Sequence, residues 1–422
     1  MSNAIHLPAT GSLEPAQIKG RNGRFQVSKP RLLLLITEDW YFRSHRLDLA
    51  RAARDAGMEV LITTLAQDDG KWIEKEGFKY IPIPFLKKGR HPLRELVAVI
   101  KLANLYRREK PHIVHHVAMK PILYGSWAAR LAKVPAVVNA FGGLGFVFVA
   151  STWRSHLMRT GIKGALRFAL GLSNSRVILQ NNENCDELIR QKIIRRNQVV
   201  IIRGAGVDTD TFYPRHERPG VAIVLLACRM LWDKGVGDFV QAAKILKQQN
   251  ANARCVLVGR LDPGSPTRIS ESQLRAWQQE GAIEWWGHRD DMPQIIASAQ
   301  IVVLPTFYGE GLPKILLEAC ASAKPVVTTP IPGCTDIVRD GENGFLIPQK
   351  DPAALAKAIK VLLDNPALRM RMGMRGREIV LREFSAGLIA EETLAVYEEL
   401  LKNCSLAQER LPASTAARSQ TL

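Results

Sequence analysis

The sequence predicts an α/β protein made of two parallel-sheet halves, and three observations carry that expectation. Short apolar runs alternate with segments of helical period, the pattern of strands joined by crossover helices. The alternation runs through residues 32–139 and restarts at residue 221. Between the two series, residues 204–217 hold Gly204, Gly206, Asp208, Asp210 and Pro214, a composition suited to a linker. A length of 422 residues with 46% hydrophobic content is enough for two ordinary cores.

In the first half, residues 32–36 read as a strand and 44–56 as a helix ended by Gly57. Strands follow at 60–64, 113–116 and 136–139, with an amphipathic helix at 93–108 and another helix at 125–132. In the second half, strands are expected at 221–227, 254–258, 283–286, 301–304 and 325–328. Helices are expected at 239–248, 274–280, 292–298, 314–322, 352–364, 368–383 and 386–402. Residues 1–29 read as a flexible leader, 30–208 as the first domain and 209–385 as the second. Residues 386–404 form a last helix, and the polar stretch 405–422 reads as a disordered tail.

The formal charge of +18 is unevenly placed: +16 falls on residues 1–214 and +2 on residues 215–422. A basic first half attracts anions such as nucleic acid, anionic lipid headgroups or phosphorylated molecules. Cysteines at 185, 228, 255, 320, 334 and 404 form no Cys-x-x-Cys pair, which argues against a zinc ribbon or a redox motif and for a reducing compartment. The first thirty residues lack the apolar core of a signal peptide, and no apolar run reaches membrane-spanning length.

The segment with the most chemistry is Glu310-Gly311-Leu312-Pro313-Lys314-Ile315-Leu316-Leu317-Glu318-Ala319. It follows the apolar run 301–305. Gly311 permits a tight turn, and Pro313 suits the start of a helix because its missing N–H would be unpaired there. A strand that ends in a glycine loop and a helix N-terminus favours an anion such as a diphosphate. Glu318 lies about a turn into the helix, and Glu310 lies in the loop on the same side. A second cationic constellation, Cys228-Arg229-Met230-Leu231-Trp232-Asp233-Lys234-Gly235, follows the strand at 221–227.

Two glutamates with seven residues between them, framed by Glu-Gly-Leu-Pro and Leu-Glu-Ala, resemble the E-x7-E signature of glycosyltransferase family 4, the group 1 transferases. The resemblance implies the GT-B fold, two Rossmann-like domains facing a central cleft, and a retaining transfer that needs no metal or other cofactor. It implies that Glu318 binds the nucleotide ribose, that Glu310 lies near the donor sugar, and that Gly311, Leu312 and Pro313 line the donor. Arg229 and Lys234 match the family's G-R-L-x-x-x-K-G, whose cations hold the donor diphosphate; Cys228 stands where glycine is common. Charge that develops on a leaving diphosphate is stabilised by preorganised cations, with arginine able to fork onto two oxygens. Residues 283–287 resemble the segment that holds the base, which makes Trp286 and His288 candidates for base contact. Gly204-Ala205-Gly206-Val207-Asp208 resembles the family's hinge segment.

On the first-half side, Val114-His115-His116-Val117-Ala118-Met119-Lys120-Pro121 resembles the acceptor-side H-x-H segment, with the second histidine one position early. Either His115 or His116 is expected to face the cleft, and Lys120 to meet an acceptor phosphate. The segment from Thr37 to Arg46 places Trp40, Tyr41 and Phe42 beside Arg43, His45 and Arg46 at the ligand-facing end of the sheet. It resembles transferases that elongate polyprenyl-diphosphate-linked sugars, with Arg46 a candidate acceptor contact. Phe141-Gly142-Gly143-Leu144-Gly145 reads as an apolar acceptor-side loop that contributes Gly143. Residues 153–172 read as a basic amphipathic stretch suited to an anionic membrane surface.

The expected partners are therefore a UDP-linked sugar, a lipid-linked saccharide acceptor and the inner face of the bacterial cytoplasmic membrane, with the protein cytoplasmic and peripheral. The sugar itself, with N-acetylhexosamine favoured by the resemblance, is left open. A nucleic-acid-binding protein, suggested by the sequence pI near 9.8, and a nucleotide-sugar epimerase of similar fold are the competing readings. The first lacks any zinc-finger or RNP motif, and nucleic acid is not expected as a partner.

Overall fold

The computed structural model describes residues 29–65, 70–83, 92–142, 153–216, 220–308 and 311–409. The expected leader up to residue 28, the tail from residue 410, and the candidate residues Gly143 and Glu310 lie outside the described residues.

The first lobe is a seven-stranded sheet in the order β3-β2-β1-β4-β5-β6-β7. Its strands are β1 (Arg31–Glu38), β2 (Glu59–Leu65), β3 (Lys79–Pro82), β4 (Ile113–Val117), β5 (Ala136–Ala140), β6 (Ser175–Leu179) and β7 (Val199–Ile201). The intervening helices are α1 (Asp39–His45), α2 (Leu47–Asp55), α3 (Lys71–Lys75), α4 (Pro92–Glu109), α5 (Met119–Ala132), α6 (Trp153–Leu170) and α7 (Asn182–Arg190). The run Leu32, Leu33, Leu34, Leu35 is fully buried because a parallel strand with helices on both faces has no wet side. Each of those leucines contributes roughly 1.5–3 kcal/mol relative to exposure. The helix expected at 44–56 is broken: α1 and α2 meet at Arg46, whose backbone leaves the helical region at φ −134° and ψ −3°.

The second lobe is a six-stranded sheet in the order β10-β9-β8-β11-β12-β13. It comprises β8 (Ala222–Ala227), α8 (Val236–Gln248), β9 (Ala253–Val258), α9 (Glu271–Gln279), β10 (Glu284–Trp285), α10 (Met292–Ser298), β11 (Ile301–Leu304), α11 (Lys314–Ala321), β12 (Val326–Thr328), β13 (Gly344–Leu346), α12 (Pro352–Asp364) and α13 (Pro366–Glu383). Every strand pair within the two sheets is parallel. α12 and α13 each start with a side-chain cap followed by proline, Asp351 accepting from the Ala354 amide and Asn365 from that of Leu368.

α14 (Ala386–Glu409) returns to the first lobe and runs past residue 404 into the stretch expected to be tail. Ile389, Ala390, Leu394, Tyr397, Leu400 and Leu401 join one core with Leu32, Leu34, Leu49 and Ala50. The outgoing and returning chain segments are stitched where they cross, because the Val207 amide donates to the Phe384 carbonyl and the Ala386 amide to that of Val207, both at 2.9 Å. The two lobes are thus joined by a pair of short, hydrogen-bonded crossings, which suits a hinge.

In both sheets the strand order reverses once, between β1 and β4 in the first lobe and between β8 and β11 in the second. Open parallel sheets bind ligands in the crevice outside the carboxyl ends of the strands at such a reversal. The two reversals therefore place the expected ligand loops after β1, β4, β8 and β11.

Candidate active site

The loop after β8 is locked to the loop after β11. Trp232–Lys234 forms one 3₁₀ turn that ends at Gly235 with φ +73°. A Cβ there would collide with the Pro305 carbonyl, so the position accepts only glycine. The Asp233 carbonyl accepts from the Phe307 amide and the Thr306 hydroxyl, each at 3.1 Å, and its carboxylate accepts from Thr267 Oγ1 at 3.0 Å. Lys234 is thus carried on a turn built against the strand that leads to Gly311. Arg229, on the same loop, donates from Nη1 to Asp262 Oδ2 at 2.7 Å and keeps about half of its side chain exposed.

α11 begins at Lys314, with Pro313 in extended conformation as its N-cap, not its first helical residue. The Leu316 amide donates to the Pro313 carbonyl at 3.1 Å, and the amides of Lys314 and Ile315 lie ahead of that first bond, where a helix N-terminus favours an anion. Glu318 projects from the next turn with 13% of its side chain exposed. Burial pushes its carboxyl up to about 7, and Lys314 pulls it partly back, with Lys314 Nζ 3.8 Å from Glu318 Oε1. Arg229, Lys234 and Glu318 therefore all stand at the carboxyl edge of the neighbouring strands β8 and β11, at the reversal of the sheet.

The first lobe meets this edge. A Cβ on Gly311 would collide with Gln180 Oε1 and the Gly142 carbonyl, at the ends of β6 and β5. Gln180 Oε1 is buried without a partner. Leu312 packs beside Gly204 of the linker. Arg260, just past β9, stacks over the Trp40 ring at 4.5 Å, and Lys314 Nζ donates to the Ser44 carbonyl. Gln180, Arg260, Asp262 and Lys314 were not singled out from the sequence. Gln180 directly follows the apolar run 177–179, a strand-end signal that was available.

The expected acceptor residues sit differently. His115 and His116 point to opposite faces of the sheet, as neighbours in a strand must. His115 Nδ1 is 2.6 Å from Tyr397 Oη of α14, and its Nε2 is buried without a partner. His116 Nδ1 is 2.9 Å from Asn139 Oδ1, and its Nε2 is 3.2 Å from Tyr106 Oη. Burial lowers His116 to about 4 and holds His115 well below the usual imidazole range, with Arg46 adding to the effect. Both rings are neutral and enclosed, which corrects the expectation that one of them opens onto the cleft. Lys120 lies 3.6 Å from Glu95 and over the Tyr124 ring. Arg46 is buried between α1 and α2, with Nε unpartnered.

Trp286 is also displaced from its expected role. Its Nε1 donates to Glu284 Oε2 at 3.1 Å and Arg254 lies over its ring. It lines a shallow depression of about 410 Å³ with Arg254, Cys255 and Gln278, beside the edge strand β10. This depression borders the early part of β9 and is not the crevice between the lobes. His288 is exposed, 3.5 Å from Asp290. The Gly287 carbonyl accepts from the Gly259 amide at 2.8 Å, so the backbone before His288 reaches the carboxyl edge. Asp208 accepts from the Asp210 and Thr211 amides, which makes it a turn-former in the linker. Among the described residues, no group of three metal-ligating side chains occurs.

Two facing Rossmann-like lobes, with cations and a helix N-terminus at the inner edge of the second, have the GT-B architecture. Residues 31–182 match the family model "Glycosyl transferase 4-like" and residues 222–365 match "Glycosyl transferases group 1". The chain belongs to these group 1, family-4-like transferases and resembles those that act on polyprenyl-diphosphate sugars. A Campylobacter jejuni N,N'-diacetylbacillosaminyl-diphospho-undecaprenol α-1,3-N-acetylgalactosaminyltransferase is 25% identical over 374 residues, 85% of this chain and 96% of the relative. An Escherichia coli UDP-Gal:α-D-GlcNAc-diphosphoundecaprenol α-1,3-galactosyltransferase is 24% identical over 332 residues, 76% and 84% of the two chains. In fold, the chain is similar to a Rickettsia africae glycosyltransferase, with TM-score 0.74, 19% identity and coverage of 89% and 100%. It is also similar to Anabaena HepE in complex with UDP and glucose, with TM-score 0.70, 19% identity and coverage of 88% and 100%.

Proposed function

We propose that the protein is a retaining, metal-independent glycosyltransferase that moves a sugar from a UDP-sugar to a lipid-diphosphate-linked saccharide during cell-surface polysaccharide assembly. The observation that carries the reading is the common edge shared by Arg229, Lys234, the α11 N-terminus and Glu318. In this reading the two cations and the helix amides take up the negative charge that grows on the departing UDP. Glu318 accepts the ribose hydroxyls, and Glu310 lies beside the sugar. A leaving-phosphate oxygen then takes the acceptor proton on the same face from which UDP departs, which keeps the anomeric configuration. Neither His115 nor His116 is assigned a proton-transfer step, because both are enclosed.

Both named relatives act on undecaprenol-diphosphate-linked sugars, which supports an acceptor of that class. Peripheral membrane placement is supported by the first lobe's surface. Leu96, Val97 and Ile100 of α4, Trp127 and Leu131 of α5, and Phe168 of α6 are exposed on neighbouring helices. Arg130 lies over Phe168 at 4.2 Å, so cation and apolar surface are interleaved. No helix among the described residues is long and apolar enough to cross a membrane.

Incubation with a panel of UDP-sugars and an undecaprenyl-diphosphate-linked saccharide, followed by mass spectrometry, tests the reading. The expected result is a lengthened lipid-linked product and free UDP, with turnover falling at least 100-fold in Lys234→Ala. Full turnover in the purified variant contradicts it. For placement, Phe168→Glu should reduce co-sedimentation with phosphatidylglycerol vesicles several-fold, and raised salt should weaken binding of the parent protein.

A further inference from the structure

We propose that Lys314 is a positioning residue that couples the nucleotide-gripping lobe to closure of the cleft, by bridging the first turn of α11 to helix α1 of the facing lobe. The inference rests on the donor assignment of Glu318 given above.

Lys314 leaves α11 one turn ahead of Glu318 and donates across the cleft to the Ser44 carbonyl. That carbonyl lies at the end of α1, where the helix stops and leaves acceptors without intrahelical donors. At the other end of α1, Trp40 receives the Arg260 guanidinium over its ring at 4.5 Å. A seven-residue helix of one lobe is therefore held at both ends by cations of the other.

The charges around Lys314 make it the central cation of the junction. Glu318 comes from the second lobe and Asp48 from α2, with Asp208 of the linker close enough to act on Asp48. Burial and Asp208 hold the Asp48 carboxyl above its ordinary range, while Lys314 and Arg51 oppose them. His45, stacked on Tyr41 at 4.1 Å, is kept neutral by burial and by Lys314. Removing the ammonium takes from both Glu318 and Asp48 a cation that acts on each, and deletes the cross-lobe hydrogen bond. The cleft then opens, and Glu318 loses the neighbour that favours its ionised form.

Amide hydrogen exchange of the full-length protein without ligand tests the coupling. Lys314→Met should raise exchange across residues 39–45 at least fivefold and leave α8 unchanged, whereas Lys314→Arg should keep the parent rates. The Michaelis constant for the sugar nucleotide should rise about tenfold in Lys314→Met with turnover at saturation changed less than threefold. Arg260→Met, which leaves the surroundings of Glu318 intact, should loosen the same seven residues. Parent exchange rates at 39–45 in both Lys314→Met and Arg260→Met overturn the proposal, as does a loss confined to turnover. Exchange is read without substrate, so its outcome is separate from failure of the donor assignment, which would appear as UDP giving the parent protein no protection.

Discussion

Glu318 shows how one buried carboxylate ties function to stability. The folded protein holds its proton up to about pH 7, whereas an exposed glutamate releases it near 4.5. Between those values the native state binds more protons than the unfolded chain, so this group's contribution to stability declines as pH rises through that window. Glu318→Gln removes the ionisation. The variant is expected to be more stable than the parent at pH 8, by at most roughly 3 kcal/mol, with the gap closing below pH 4.5. Denaturant melts at pH 5 and pH 8 check this, and a variant less stable at pH 8 contradicts it. The same substitution should weaken UDP binding, as expected of a residue retained for its ligand at the expense of the fold. The two histidines teach the opposite lesson. Their sequence context suggested chemistry, but strand alternation sent one ring to Tyr106 and the other to Tyr397. Tyr397 is 282 residues away from its partner, beyond any local pattern.

At the scale of elements, the turn at Trp232–Lys234 depends on Gly235. Gly235→Ala combines a positive φ with a collision against the Pro305 carbonyl. It should destabilise the protein by several kcal/mol or, if the loop yields, move Lys234 and weaken UDP binding at least tenfold. Chemical denaturation and nucleotide titration of the soluble variant decide, and parent behaviour in both contradicts the account. Most of the parallel strands were legible from their apolar runs, and so were the helices after β8 and β11, whereas β6 went unread although residues 177–179 are apolar. The break between α1 and α2 was not, since neither glycine nor proline marks Arg46. The bend arises where Arg46 is buried near His115 and Tyr397. β3, β7 and β13 are short, and their few apolar residues carry no clear period. Trp286 stands just past the two-residue β10 and donates its indole N–H to Glu284.

For the whole molecule, the architecture makes the cleft. Each sheet reverses its strand order once, so loops from two lobes face one another, while α14 and the crossing at Val207 and Phe384 limit how far the lobes separate. The charge asymmetry read from composition fits the proposed division of labour: the basic half carries the apolar and cationic surface of α4, α5 and α6, and the nearly neutral half carries the edge proposed to hold the nucleotide. What composition could not give was the set of contacts between the lobes, because Gly311 with Gln180, Arg260 with Trp40 and Lys314 with Ser44 are all remote in sequence.

In the proposed function, Arg229, Lys234, the α11 N-terminus and Glu318 act as one seat for a nucleoside diphosphate. Titration calorimetry with UDP tests it most directly. The parent protein should bind one equivalent, and Lys234→Ala and Glu318→Ala should each bind at least tenfold more weakly. UDP binding in both variants as tight as in the parent would contradict it.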